Sequence, residues 1–270
     1  MSERRVTVPD IRAAKGRPEP LAVLTAYDAP TARLLDEAGV DILLVGDSVG
    51  MVVAGLESTL PVTLDEMIYH TRAVCRGRRR ALVVTDLPFL SFQVSVEEAV
   101  RNAGRVVKEG GADAVKLEGG VAVTSQVRAL VAAGIPVMGH VGLTPQAVRR
   151  MGGYRVQGRD PATRAAILED ARALEAAGVF SIVVEGVPRS LGTEVTRAVA
   201  VPTIGIGAGP DCDGQVLVLH DLIGLSPAPQ PPKFVRRYAE VGEAIRRAAA
   251  AYVADVRGRR FPSADESYEG

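Results

Sequence analysis

Acidic residues close several of the apolar runs in this sequence: Asp47 in VGDS, Asp86 in VTDLP, Glu118 in VKLEGG and Glu185 in VVEGVP. Taken singly, each reads as a cap or an orienter of the loop that follows. Taken together they read as carboxylates converging on one site. Like charges in a concave site repel and lose hydration, so a bound cation is the natural compensation. Carboxylate oxygens without a Cys/His cluster favour a hard ion, and magnesium suits a few carboxylates, waters and a chelating substrate. Lys116 lies two residues before Glu118, so on a strand both side chains point to the same side. A lysine turned inward needs an anion, either the neighbouring acids or an anionic substrate. Ser48, directly after Asp47, offers a hydroxyl or an N–H to a substrate carboxylate, or caps the turn.

Other polar motifs carry less. His140 in GHVG reads as a polar wall, a proton relay or a satisfied core histidine, and His70 and His220 have weaker claims. Histidines this scattered have no zinc spacing. GIGAG from Gly205 invites a phosphate-loop reading, but Pro210 stands where the dinucleotide fingerprint needs its third glycine, and the Walker lysine is absent. A tight turn is the expectation there. Covalent nucleophilic catalysis finds no support, since G-x-S-x-G is absent and neither Cys75 nor Cys212 has a recognisable activating histidine.

The elements that must position these residues recur evenly. Apolar runs begin at Leu21, Asp41, Ala81, Ala114, Pro136, Ser181 and Pro202, with an eighth, VLVLHDLIG, around Val218. They are rich in Val, Ile and Leu without polar alternation, as strands of a parallel sheet buried on both faces are. Thr63 with Glu66 and Ser95 with Glu98 have capping-box spacing, and Asp160-Pro161 offers an N-cap followed by proline. EAGVD, EGGAD, AAGIP and EAAGVF each place a glycine shortly before a new run, the pattern of C-cap glycines. Strand, helix and glycine stop therefore repeat, and eight such units predict a (β/α)8 TIM barrel, with a doubly wound open sheet as the alternative fold. One domain over 1–270 is expected, with an extended stretch from Ser226, a last helix over roughly Val235 to Val256 and a mobile tail over 259–270.

Composition narrows the partners. Lys plus Arg and Asp plus Glu are both 32, so no global field draws the chain to nucleic acid. Two distant cysteines indicate neither a disulfide framework nor structural zinc, and a reducing cytoplasm is the expected setting. No apolar run resembles a signal peptide core or a membrane span.

The segments LTAYD from Leu24, VGDSVGMVVAG from Val45, TLDEMIYHTRAV from Thr63, DLPF from Asp86, VKLEGG from Val115, GHVGLTPQ from Gly139, GGYRVQGR from Gly152 and GIGAGPDCDGQVLVLHDLIGL from Gly205 resemble ketopantoate hydroxymethyltransferases. The similarity runs from about Val8 to about Tyr238. The resemblance implies metal ligands at Asp47, Asp86 and Glu118, 2-oxo acid contacts at Asp47, Ser48, Asp86 and Lys116, and the general base at Glu185. It also implies Mg2+, 5,10-methylenetetrahydrofolate as co-substrate for 3-methyl-2-oxobutanoate, a magnesium-stabilised enolate, a place in pantothenate synthesis and a homodecamer. One departure is VEGVP, where Gly186 replaces an expected bulkier or sulfur-bearing residue, altering the rim beside Glu185 but not the carboxylate. The segment LTPQAVRRMGGYRVQG from Leu143 is expected to be a water-excluding lid or an ordered subunit contact. Rival readings are another metal-dependent enolate enzyme, such as a 2-oxo acid lyase or phosphoenolpyruvate mutase relative, and a catalytically silent barrel.

Overall fold

The computed structural model describes residues 4–226 and 231–269. Strands β1 (Leu21–Thr25), β2 (Ile42–Val45), β3 (Leu82–Asp86), β4 (Ala114–Glu118), β5 (Val137–Gly142), β6 (Ser181–Glu185), β7 (Thr203–Ile206) and β8 (Gly214–Leu217) pair in chain order, and β8 pairs with β1 to close a barrel. Between them run helices α1 (Ala29–Glu37), α2 (Leu64–Gly77), α3 (Val96–Arg105), α4 (Thr124–Ala132), α5 (Pro161–Ala177) and α6 (Arg189–Ala198). The expected parallel (β/α)8 barrel is what the chain forms.

The missing polar alternation has its cause in the packing. One set of strand residues, among them Val23, Ile42, Leu44, Leu82, Val84, Ala114, Met138, Val183, Ile204 and Val216, forms a cluster that includes Ile11 of the short helix Val8–Arg12. The alternate set, Val115, Leu117, Val137, Val141, Ile182 and Val184, packs with helix residues such as Ala103, Leu130, Ala171, Leu174 and Val195. Both strand faces are therefore apolar, because the lumen of a barrel is a packed core.

Helix punctuation matches the spacing. Thr63 and Glu66 complete a reciprocal capping box, Ser95 accepts from the Glu98 N–H, and Asp160 caps the Thr163 N–H ahead of α5. The four stop motifs each supply one glycine at positive φ, Gly39 at 91°, Gly111 at 84°, Gly134 at 82° and Gly178 at 103°, where a Cβ is strained.

The eighth run is displaced. The strand covers Gly214–Leu217, whereas Leu219–Leu222 of the expected VLVLHDLIG run is helical. Strand β8 closes the barrel at Gly214, whose missing Cβ would stand 2.7 Å from Ile204 Cδ1 and 2.8 Å from Leu21 Cβ. With a glycine there and an exposed Gln215 next to it, the strand's beginning has no apolar signature.

A buried carboxylate fastens α1 to the entry of β3. Asp36 accepts from the backbone N–H groups of Arg79 (2.8 Å), Arg80 (3.0 Å) and Ala81 (2.6 Å). Burial pushes its pKa up, but those three donors outweigh burial and hold it below the ordinary value. Its stabilisation is thus fully present above the usual carboxylate range and is lost as pH falls through the lowered folded-state pKa. Asp36→Ala is expected to cost about 2–3 kcal/mol, read as a lower urea midpoint at unchanged slope; an unchanged midpoint would remove this latch from the account.

Residues 219–270 form a second compact unit. It holds the helix Leu219–Leu222, helix α7 (Val241–Arg257) and a 3-10 turn over Ala264–Glu266. The last helix starts later than the expected Val235 because the N–H groups of Tyr238 and Val241 are bonded to Leu222 and Ile223 carbonyls, both at 2.8 Å, which draws 238–241 out of helical register. The extended stretch expected from Ser226 falls in part on 227–230, outside the described residues. Among the described residues, no helix is long and apolar enough to cross a membrane.

Candidate active site

The lumen-facing parity that buries Val84, Ala114, Met138 and Val183 brings a polar layer into line at the carboxyl ends of the strands. Continuing by twos from those residues gives Asp86, Lys116 and Glu118, His140 and Glu185. Strand register sets the neighbours, with Asp86 level with Lys116, Glu118 with His140, and Gly142 with Glu185. Gly142 is required there: its φ is 93°, and a Cβ would meet the Glu185 carbonyl oxygen at 2.3 Å.

Asp86, Lys116, Glu118 and His140 are all buried, and Asp47 joins them from the turn after β2. Lys116 Nζ lies 2.9 Å from Asp86 Oδ1 and 3.2 Å from His140 Nδ1. The Asp47 N–H donates to Asp86 Oδ2 at 3.1 Å. Gly46 leaves room for that approach, since a Cβ would stand 2.7 Å from Ser48 Oγ and 3.6 Å from Asp86 Oδ2. The Glu185 side chain keeps 16% exposure, open to the barrel mouth, and its Oε2 is 3.2 Å from His140 Nε2. The expected site residues are therefore brought together.

Ser48 makes no side-chain cap to the short helix Val49–Val52. Its hydroxyl lies 2.9 Å from that of buried Tyr27. His140 is the wall of the site rather than a distant core residue, whereas His70 sits on α2 with Nδ1 2.7 Å from the Tyr27 carbonyl. Gly207 and Gly209, both at positive φ, turn the chain after β7, as expected for GIGAG. Gly186 has φ 57° and a Cβ would come within 3.0 Å of Leu143 Cβ, so a bulkier residue would require Leu143 to move.

Gln146 went unassigned from sequence. Its N–H donates to Glu118 Oε2 at 3.0 Å, and its side-chain amide donates to Asp47 Oδ2 and to the Leu87 carbonyl, both at 2.9 Å. Gln93 donates to its oxygen at 3.1 Å. The 143–158 segment thus begins pinned to two of the site carboxylates. Farther along, Tyr154 rests its hydroxyl 3.6 Å from Met51 Sδ.

Charge in the site is unbalanced. Four carboxylates, Asp47, Asp86, Glu118 and Glu185, face the single ammonium of Lys116. Burial and then the Asp86 charge push Asp47 up to about 7, and burial with Asp47 beside it raises Glu118 well above the usual range. Burial works against the Lys116 charge, but Asp86, Glu118 and Asp47 outweigh it and raise its pKa. Burial and the nearby ammonium depress His140 below its usual value, keeping the ring neutral. A divalent cation is the missing counter-charge that such a set fits. Among the described residues, no three His, Cys, Asp or Glu side chains are placed to enclose an ion by themselves. A hard ion that retains waters and takes ligand oxygens, as magnesium does, suits this donor set better than an all-protein cage.

The description "Ketopantoate hydroxymethyltransferase" belongs to the family model that matches residues 5–264. A 3-methyl-2-oxobutanoate hydroxymethyltransferase from Moorella thermoacetica is 58% identical over 270 residues, covering 100% of both chains. One from Pelobacter propionicus is 56% identical over 266 residues, covering 98% of each. Among solved structures, phosphonopyruvate hydrolase superposes with TM-score 0.63 at 12% identity, covering 99% of this chain and 92% of that one. 2,3-Dimethylmalate lyase, described as a PEP mutase/isocitrate lyase superfamily member, superposes with TM-score 0.61 at 17% identity, covering 98% and 89%. Those two likenesses establish the fold, and the long, closely similar relatives establish more: this chain belongs to the ketopantoate hydroxymethyltransferase family.

Proposed function

We propose that this chain transfers a hydroxymethyl group to 3-methyl-2-oxobutanoate, taking the carbon from 5,10-methylenetetrahydrofolate and water and releasing 2-dehydropantoate and tetrahydrofolate. The observation that carries the reading is the grouping of Asp47, Asp86, Lys116 and Glu118 beside Glu185 at the strand ends, in a chain of this family. Asp47, Asp86 and Glu118 would hold a magnesium ion, whose contribution when bound is Lewis-acid polarisation of the 2-oxo group. Lys116 supplies fixed positive charge, buried where it is weakly screened, to the negative charge that develops on the substrate. Ser48, held by Tyr27, donates to the substrate carboxylate. Glu185 takes the C3 proton, and the resulting carbon nucleophile attacks the methylene carbon of the folate. The 143–158 segment, anchored by Gln146, excludes water at that stage.

The setting we propose is pantothenate synthesis in the cytoplasm, in a homo-oligomer of ten copies. Exposed Ile245, Tyr252 and Val256 support oligomerisation, because their spacing forms one stripe on α7. Sedimentation velocity reads this directly, and a monomer at micromolar concentration contradicts it. The activity itself is tested by incubating the protein with magnesium, 3-methyl-2-oxobutanoate and 5,10-methylenetetrahydrofolate. Formation of 2-dehydropantoate by mass spectrometry is expected; consumption of the 2-oxo acid to a different product would reassign the electrophile.

A further inference from the structure

His140 lies at the centre of the site but holds no part in the proposed chemistry, and its surroundings fix which nitrogen carries its proton. An ammonium has three donors and no acceptor, and Lys116 Nζ stands 3.2 Å from His140 Nδ1. Nδ1 therefore accepts and bears no hydrogen. Glu118 Oε1 is 3.7 Å from the same nitrogen, beyond hydrogen-bond reach. The ring's one proton then sits on Nε2, which faces Glu185 Oε2 at 3.2 Å.

Each link in this series is held in place. Lys116 is paired with Asp86 at 2.9 Å. Strand β5 sets His140 level with Glu118 on one side and Val183 on the other, and the residue is 2% exposed. Glu185 is the one member with part of its side chain open, so its carboxylate is the one whose direction needs an external restraint.

We infer that His140 is a positioning residue: Lys116 fixes its tautomer, and its Nε2–H holds the Glu185 carboxylate in the orientation from which that group takes a proton. The inference rests on Glu185 being the base of the proposed reaction. Removing the restraint slows proton transfer and leaves substrate affinity alone, since His140 contacts the base and not the bound acid.

Two isosteric replacements separate this role from packing. In His140→Gln the side-chain amide nitrogen reaches the position of Nε2 and still donates to Glu185. In His140→Asn the amide oxygen takes the place of Nδ1 and accepts from Lys116, but nothing reaches Glu185. Hydrogen–deuterium exchange at C3 of 3-methyl-2-oxobutanoate, with magnesium present, should fall about 10–100-fold in kcat for His140→Asn with KM within about twofold. His140→Gln should stay within about fivefold of the unaltered protein. Equal losses in both variants, or a rise in KM that accounts for the loss, overturn the positioning role. Solid-state 15N NMR of the histidine-labelled, unaltered protein gives an answer independent of variant folding, because only three histidines need assignment, by comparison with variants of His70 and His220. A protonated Nε2 is expected for His140, and a protonated Nδ1 overturns the inference. Absence of exchange in the unaltered protein overturns the assignment of Glu185 and this inference with it, an outcome distinct from exchange that persists equally in both variants.

Discussion

Glu185→Gln is expected to lose C3 proton exchange on 3-methyl-2-oxobutanoate by at least about 10³-fold, equivalent to about 4 kcal/mol of transition-state stabilisation. Magnesium and 2-oxo acid affinity should both stay within about threefold. The reasoning is geometric. Glutamine keeps the volume and can turn its amide oxygen toward His140 Nε2, which stands 3.2 Å from the present carboxylate, so the site keeps its shape. What it lacks is a lone pair basic enough to take a proton from carbon. Isothermal titration for binding and proton NMR for exchange divide the two effects. Retained exchange would place the base elsewhere, and a parallel loss of affinity would make Glu185 a binding group.

Asp86→Asn is expected to weaken divalent-ion binding about 10–100-fold and to make 2-oxo acid affinity insensitive to magnesium. Asp86 has two partners that respond differently. The Asp47 N–H, 3.1 Å away, can still donate to an amide oxygen, so the turn after β2 is retained. Lys116, 2.9 Å from the other oxygen, loses the strongest of the charges that offset its burial. Its pKa should therefore fall, because desolvation opposes the ammonium. Manganese titration followed by electron paramagnetic resonance reads the ion affinity directly, and an unchanged affinity would remove Asp86 from the proposed ligand set.

Much of this site was legible in the sequence because period-two alternation is a local property. Lys116 and Glu118 had to share a face once AVKLE was read as a strand, and Asp86 and Glu185 ended apolar runs of the same kind. Capping residues such as Thr63 and Asp160 were equally local. Contacts that depend on register between strands were not legible. Whether His140 faces Glu185 depends on the stagger of β5 against β6, and no residue type announces it. Gln146 reaches Asp47 across 99 positions through an uncharged amide, so neither charge pattern nor spacing singled it out, although it lies in the segment read as a lid. The late start of α7 and the displaced β8 share one cause, because in both the deciding contacts come from distant parts of the chain. Tyr27 escaped notice for the opposite reason: an aromatic side chain near a strand end looks like core, and only the placement of its hydroxyl against Ser48 gives it a polar task.

Proton NMR of 3-methyl-2-oxobutanoate in heavy water, with the purified protein and before any folate is added, tests the central claim most directly. Loss of the C3 proton signal that requires magnesium, and that stops when the ion is chelated, is the predicted result, since proton removal precedes any need for the one-carbon donor. No exchange by folded, magnesium-loaded protein would contradict the account and assign the carboxylates of this barrel to another 2-oxo acid or to no chemistry at all.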